Sequence, residues 1–123
     1  MSAASILIID DDPWVAEQHA RVLEKSGYTT TISPHAIAAI GAVDDVHPDV
    51  IILDVLLTGS TAFTLLHELQ SYGDTGSIPV VLCTNLAGDI RLEDVKPYGV
   101  KRILDKATME PGDVVAAVRN VLL

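Results

Sequence analysis

The chain has 123 residues, 49% of them hydrophobic and 20% charged, and no apolar run reaches the roughly 18 residues that a membrane span needs. This points to one soluble domain, long enough to bury a core unaided, and the lone Cys83 leaves no disulfide framework or metal-ligand cluster. Seventeen acidic against eight basic residues give a formal charge of −9, which disfavours unspecific contact with nucleic acid or anionic membrane, both polyanions. The opening MSAAS carries neither a basic stretch followed by an apolar one nor a complete acylation signal, so a cytoplasmic location is expected.

Apolar periodicity alternates between short β-branched runs and stretches at helical spacing, strand then helix, five times. Ser5 to Asp10 predicts a first strand and Pro13 to Ser26 a helix, with Pro13 in its first turn and Gly27 at its end. Tyr28 to Ile32 predicts a second strand, Pro34 to about Val43 a second helix, Asp44 to Pro48 a loop and Asp49 to Asp54 a third strand. A third helix is expected from about Ser60 to Tyr72, with Phe63, Leu66 and Leu69 on one face, followed by a loop over 73–77. Ile78 to Thr84 is the expected fourth strand, and Ala87 to Lys96 a short, weakly held helix that stops before Pro97. Val100, Ile103 and Leu104 mark a fifth strand, and the last helix, starting near Pro111, is expected to bury Val114, Val115, Val118 and Val121 or Leu122.

Strands that read as continuous apolar runs are covered on both faces, which calls for a parallel sheet between helices. The expected fold is a doubly wound α/β domain over residues 1–123, with no attached output domain. Such sheets bind ligands outside the carboxyl ends of their strands. There the sequence places Asp10, Asp11 and Asp12 after the first strand, Asp54 after the third, Thr84 after the fourth and Lys106 after the fifth. Carboxylates so close raise one another's pKa unless a cation neutralises them. Magnesium fits, because it takes a few carboxylate oxygens, keeps several waters and completes its octahedron with phosphate oxygens. A carboxylate beside such an ion is also a nucleophile toward phosphorus, forming an acyl phosphate, with a hydroxyl and a lysine to hold the transferred oxygens.

On these residues the chain resembles the receiver domain of two-component response regulators along essentially its whole length. The acidic pair in ILIIDDDPW is matched by Asp10 and Asp11, the phosphoacceptor in PDVIILD by Asp54, the hydroxyl in IPVVLCT by Thr84 and the phosphate-binding lysine in GVKRILDKA by Lys106. The resemblance implies Mg2+ (or Mn2+) bound by Asp11 directly, by Asp10 through water, by Asp54 and by the backbone carbonyl of Leu56. It also implies a flavodoxin-like five-stranded sheet of order 2-1-3-4-5 with five flanking helices. Implied partners are a sensor histidine kinase or phosphotransfer protein and a downstream protein effector, with no nucleic acid or membrane bound by this domain. The face of the fourth helix, fifth strand and fifth helix, which carries Arg91, Asp94, Lys96, Lys101, Arg102 and Asp105, is the one that family members use for dimers or partners. Such a domain is no turnover enzyme; it catalyses its own phosphotransfer.

Four places depart from the family pattern. Leu57, Thr58 and Ala62 replace the usual Met-Pro and Gly after the acceptor, with Gly59 available for the turn. Ile103 stands where an aromatic switch residue is usual, so no rotating ring follows Thr84. Ala107 replaces a proline that is normally cis; a cis bond costs about 2.5–4 kcal/mol without proline, so a trans Lys106–Ala107 bond is expected. Leu56 and Leu86 occupy the positions that tune hydrolysis and offer no hydrogen bond to water, so slow autodephosphorylation is expected.

Two rival readings follow from the same residues. A degenerate receiver would bind a protein partner without phosphorylation. A haloacid dehalogenase-like phosphatase would use Asp10 and Asp12 as its Asp-x-Asp, but the chain lacks the length and the second acidic pair that those enzymes need. Flavodoxin itself fits poorly, because an anionic FMN phosphate would face the DDDPW turn. Blander roles suit the rest: Asp12 as a helix cap, Cys83 as a core residue, Trp14 as packing for the first helix, and four histidines without metal-ligand spacing.

Overall fold

The computed structural model describes residues 3–54, 64, 66–68, 78–85, 88 and 90–122. Five parallel strands, β1 (Ser5–Ile9), β2 (Thr29–Ser33), β3 (Val50–Leu53), β4 (Val80–Thr84) and β5 (Val100–Asp105), form one sheet in the order β2-β1-β3-β4-β5. The flanking helices are α1 (Pro13–Lys25), α2 (Ala36–Val46), α3 (described at 64 and 66–68), α4 (Leu92–Val95) and α5 (Pro111–Leu122). This is the expected doubly wound fold.

Period-two alternation sorts the strands' apolar residues onto two faces. Leu7, Ile9, Ile51, Leu53, Val80 and Leu82 point to one side, where Ala39 and Val43 of α2, Leu66 of α3 and Val95 of α4 cover them. Ile6, Ile8, Val50, Ile52, Val81 and Cys83 point to the other, under Ala16, Ala20 and Leu23 of α1 and Val114, Ala117 and Val118 of α5. Cys83 is buried as expected, and burial pushes its thiol up to about 12, which leaves it an inert core residue.

The helix ends follow local chemistry. Asp12 caps α1, its Oδ1 accepting from the amides of Trp14 and Val15, and Gly27 past the helix end has a φ of 97°. Helix α2 starts and ends later than expected. His35 caps it through Nδ1, and Asp44, Asp45 and Val46 extend the helix until His47 turns left-handed at a φ of 51° before Pro48. A first-turn proline at 34 is thereby excluded from the helix.

The fourth helix differs most. It begins at Leu92, not Ala87, and the chain runs over Pro97 in a single 3-10 turn, Lys96–Tyr98, that ends at Gly99 with a φ of 88°. Proline is compatible with the opening of a short helical turn, where its missing N–H has no partner to lose. In α5, Ala117 is buried in place of the expected Val115 and Val121, which are half-buried, and Leu122 is 39% exposed. The apolar stripe of that helix is thus one residue narrower than its valines suggest.

One irregularity positions the site. The ladder between β4 and β5 shifts by one residue, pairing Val80 with Val100 but Val81 with Arg102. A one-residue slip exchanges the faces of every later side chain. Val100 and Ile103, three apart, therefore share the α4 side of the sheet, and Leu104 takes the other. The same shift pairs Thr84 with Asp105 and sets the Lys106 amide 3.0 Å from the Thr84 carbonyl.

Candidate functional site

Strands β1 and β3 are adjacent and in register at Ile9 and Leu53, so the residues that follow, Asp10 and Asp54, emerge side by side. The Asp54 amide donates to the Ile9 carbonyl at 3.1 Å and the Asp10 amide to the Ser33 carbonyl at 3.2 Å, which pins both backbones. Asp10 and Asp54 are buried, and Asp11, exposed, completes a trio with a ligand oxygen from each lying within 4.8 Å of the others. Asp10 Oδ1 also accepts from the Asp12 amide at 3.0 Å, an Asx turn that orients the carboxylate.

Lys106 enters from the loop after β5. Its Nζ donates to Asp54 Oδ2 at 2.8 Å and to Asp10 Oδ2 at 3.1 Å, bridging two carboxylates with a side chain only 13% exposed. The loop that carries it is tied by Asp105, whose Oδ1 accepts from the Ala107 amide at 2.9 Å while its carbonyl accepts from Met109 at 2.9 Å. As expected, the Lys106–Ala107 peptide is trans.

Among the described residues the charges do not balance: one ammonium faces three carboxylates. Burial outweighs the favourable contacts with the Asp12 amide and Lys106 and raises Asp10 above the ordinary carboxylate range. Burial alone would lower Lys106, but its bonds to Asp54 and Asp10 win, and its pKa is raised. The surplus negative charge, on oxygen ligands close enough to share one ion, fits a small hard cation.

Of the sequence-predicted site residues, Asp10, Asp11, Asp54 and Lys106 converge. Thr84 is fully buried at the neighbouring strand end, beside Lys106 through the backbone. Ile103 lies half-buried on the α4 side, packed against the core. Leu56, Leu57, Thr58, Gly59, Ala62 and Leu86 lie outside the described residues. Asp12 is exposed, and its carboxylate is engaged as the α1 cap, which removes it from the Asp-x-Asp role that a phosphatase would require. Trp14 does not pack α1; it sits in the first turn, 70% exposed, ahead of the buried stripe. Among the described residues the charges on the face of α4, β5 and α5 form no ion pair across it, as a solvated face would have it: Arg91 pairs locally with Glu93, both largely exposed, where an ion pair adds little.

His19 carries no site motif in the sequence. It occupies the buried stripe Ala16, His19, Ala20, Leu23, whose helical spacing is legible, and the residue is 5% exposed. Burial, then the nearby Lys106 charge, lowers its pKa. Its sign is therefore that of a group folded as the neutral form, with stability intact above pH 6.5 and lost as pH falls below it through the depressed folded value. Wild type is expected to lose on the order of 1 kcal/mol relative to His19→Leu as pH drops from about 6.5 to 5. Urea unfolding across that range measures it, and parallel profiles for the two proteins would contradict it.

Comparison with known proteins agrees with this geometry. The sequence model of the response regulator receiver domain matches residues 6–119. The transcriptional regulatory protein BaeR of Escherichia coli is 30% identical over 127 aligned positions, covering 95% of this chain and 47% of that protein. The chain spans between 33% and 48% of the length of the curated relatives it matches. Among solved structures, a response regulator of Chloroflexus aurantiacus superposes with a TM-score of 0.84 at 29% identity, covering 98% of each chain. The chemotaxis protein CheY4 of Vibrio cholerae superposes at 0.85 and 20% identity, covering 98% of this chain and 99% of its own, and so shares the fold. With a family match over nearly the whole chain and an acidic trio bridged by a lysine at the strand ends, this protein belongs to the response regulator receiver domain family.

Proposed function

We propose that Asp54 is the phosphoacceptor of a two-component phosphorelay, taking its phosphoryl group from a phosphohistidine of a sensor kinase or phosphotransfer protein. The supporting observation is Lys106 Nζ, held at 2.8 Å from Asp54 Oδ2 and 3.1 Å from Asp10 Oδ2. An Asp54 oxygen forms the new bond to phosphorus while the phosphorus–nitrogen bond breaks and the imidazole leaves with its electron pair. Lys106 is placed to follow the transferred oxygens and offset their charge, and the Thr84 hydroxyl is their second contact. Asp10, Asp11 and Asp54, with the Leu56 carbonyl, would hold Mg2+ or Mn2+, which when bound supplies neutralisation of the carboxylates and polarisation of the phosphoryl oxygens.

The domain is a switch with no turnover of its own, and it signals through protein contacts in the cytoplasm, without touching nucleic acid or membrane itself. Among the described residues no helix is long and apolar enough to cross a membrane. The face of α4, β5 and α5 presents exposed Lys101, Arg102 and Leu92 to an effector or a second copy. Ile103 provides no aromatic ring to report phosphorylation, so the message passes through backbone and helix positions, biasing a pre-existing equilibrium.

Incubation with Mg2+ and acetyl phosphate is expected to add one phosphoryl group by intact mass. None should appear on Asp54→Asn or with EDTA. With Leu56 two residues after the acceptor in sequence and Leu86 two after Thr84, the group is expected to persist far longer than seconds after the donor is removed. Failure with acetyl phosphate, with beryllofluoride and with candidate kinases would instead mark a receiver that binds its partner without phosphorylation.

A further inference from the structure

Three successive amides after β5 converge on one residue. The Ala107 amide donates to Asp105 Oδ1 at 2.9 Å, and the amides of Thr108 and Met109 donate to the Asp105 carbonyl at 3.2 and 2.9 Å. Lys106 gives its own amide to the Thr84 carbonyl at 3.0 Å. The side-chain bond closes an Asx turn with Lys106 as its central residue, so the Asp105 carboxylate restricts the backbone from which the lysine springs.

The lysine needs that restriction. Strand β4 separates β5 from β3, so the Lys106 side chain crosses two inter-strand gaps of about 4.8 Å each to reach Asp54, and three to reach Asp10. Its ammonium rides on a flexible four-carbon stem. With the stem stretched over that span, a small rotation of the backbone at 106 would carry Nζ out of hydrogen-bond range of Asp54 Oδ2 and Asp10 Oδ2, now at 2.8 and 3.1 Å. A misplaced contact to the transferred oxygens slows group transfer steeply. We infer that Asp105 is a positioning residue for phosphotransfer: its carboxylate, closed on the Ala107 amide, aims Lys106 at the acceptor. The effect on phosphotransfer rests on Asp54 being the phosphoacceptor; the aim of Lys106 does not. The bond needs an N–H at position 107, which alanine supplies and the proline usual at this place lacks.

The aim is read without metal or phosphodonor, from the lysine ammonium signals of nitrogen-15-labelled protein. An ammonium locked onto two buried carboxylates exchanges its protons with water slowly, and Lys106→Met assigns its signal. In Asp105→Ala that exchange is expected to speed up about tenfold, the worth of one hydrogen bond. In Asp105→Asn, whose amide oxygen accepts the same bond, it should stay near wild type. Ala107→Pro, which deletes the donor, should match Asp105→Ala, and combining the two should change nothing further. Phosphorylation by acetyl phosphate with Mg2+ should slow about tenfold in Asp105→Ala and recover in Asp105→Asn. A wild type without the slow signal, an Asp105→Ala variant that keeps it, or an Asp105→Asn variant as fast as Asp105→Ala would overturn the inference. A wild type that shows the slow signal but takes no phosphoryl group would overturn the phosphoacceptor reading, while the exchange rates still decide the aim of Lys106.

Discussion

Replacing Lys106 by methionine is expected to destabilise the domain by about 3 kcal/mol at neutral pH in buffer free of divalent cations. Among the described residues the ammonium is the cation bonded to two carboxylates that are 3% and 5% exposed, and methionine fills much the same volume without the charge. Removing one member of a buried ionic group leaves the others uncompensated, which costs more than the pair itself contributes. The pH profile carries the sign. Lys106 has a raised pKa, so its contribution is complete below its ordinary 10.5 and is lost as pH rises through the higher folded value. At acid pH the difference between the proteins should also shrink, because Asp10, already raised, takes a proton first and ends the repulsion. Urea unfolding from pH 4 to 8 measures this. A variant as stable as wild type at pH 7 would mean that the Lys106 bridge does not hold the site together.

Magnesium is expected to offset the surplus charge and to raise the unfolding temperature by roughly 10 °C. An ion at a hundredfold excess over its dissociation constant contributes about 2.7 kcal/mol, and each kcal/mol moves the midpoint of a domain of this size by about 4 °C. Asp10→Asn separates the metal effect from simple screening. Asp10 has a raised pKa, so the fold favours its neutral form and loses stability as pH rises through the folded value. Without metal, then, the asparagine variant is expected to be more stable than wild type by on the order of 1 kcal/mol at pH 7. With magnesium, most of the wild-type gain should be missing. Sodium chloride at matched ionic strength is the control, because a chain of net charge −9 is also stabilised by screening. Equal gains from magnesium in both proteins would remove Asp10 from the metal site.

Much of this architecture is legible along the chain because its causes are local. The runs SILII, VIIL and VVLCT are apolar on both faces and so call for a covered parallel sheet, and Asp12 followed by Pro13 writes the start of α1. The same spacing puts Asp10, Asp11, Asp54 and Lys106 at strand ends. The errors are also local. Nothing in Asp44 and Asp45 distinguishes a last helical turn from a loop, and the outcome there rests on His47 adopting a left-handed conformation. The fourth helix does stop before Pro97, at Val95, but it starts at Leu92 and not at Ala87, and the chain then turns through Pro97 in 3-10 form.

Taken alone, the sequence determines the alternation of strand and helix, the two-sided core, the caps and the set of carboxylates available for chemistry, since each depends on spacing within a few residues. Tertiary structure decided how those carboxylates are used. Lys106 reaches Asp54 across 52 positions and Asp10 across 96, and only the strand order and the one-residue shift between β4 and β5 bring it there. The same long-range packing exposes Trp14 and buries His19 with its Nε2 unpaired among the described residues. Contacts between distant segments depend on register and on which helix covers which face, and no local pattern encodes those distances.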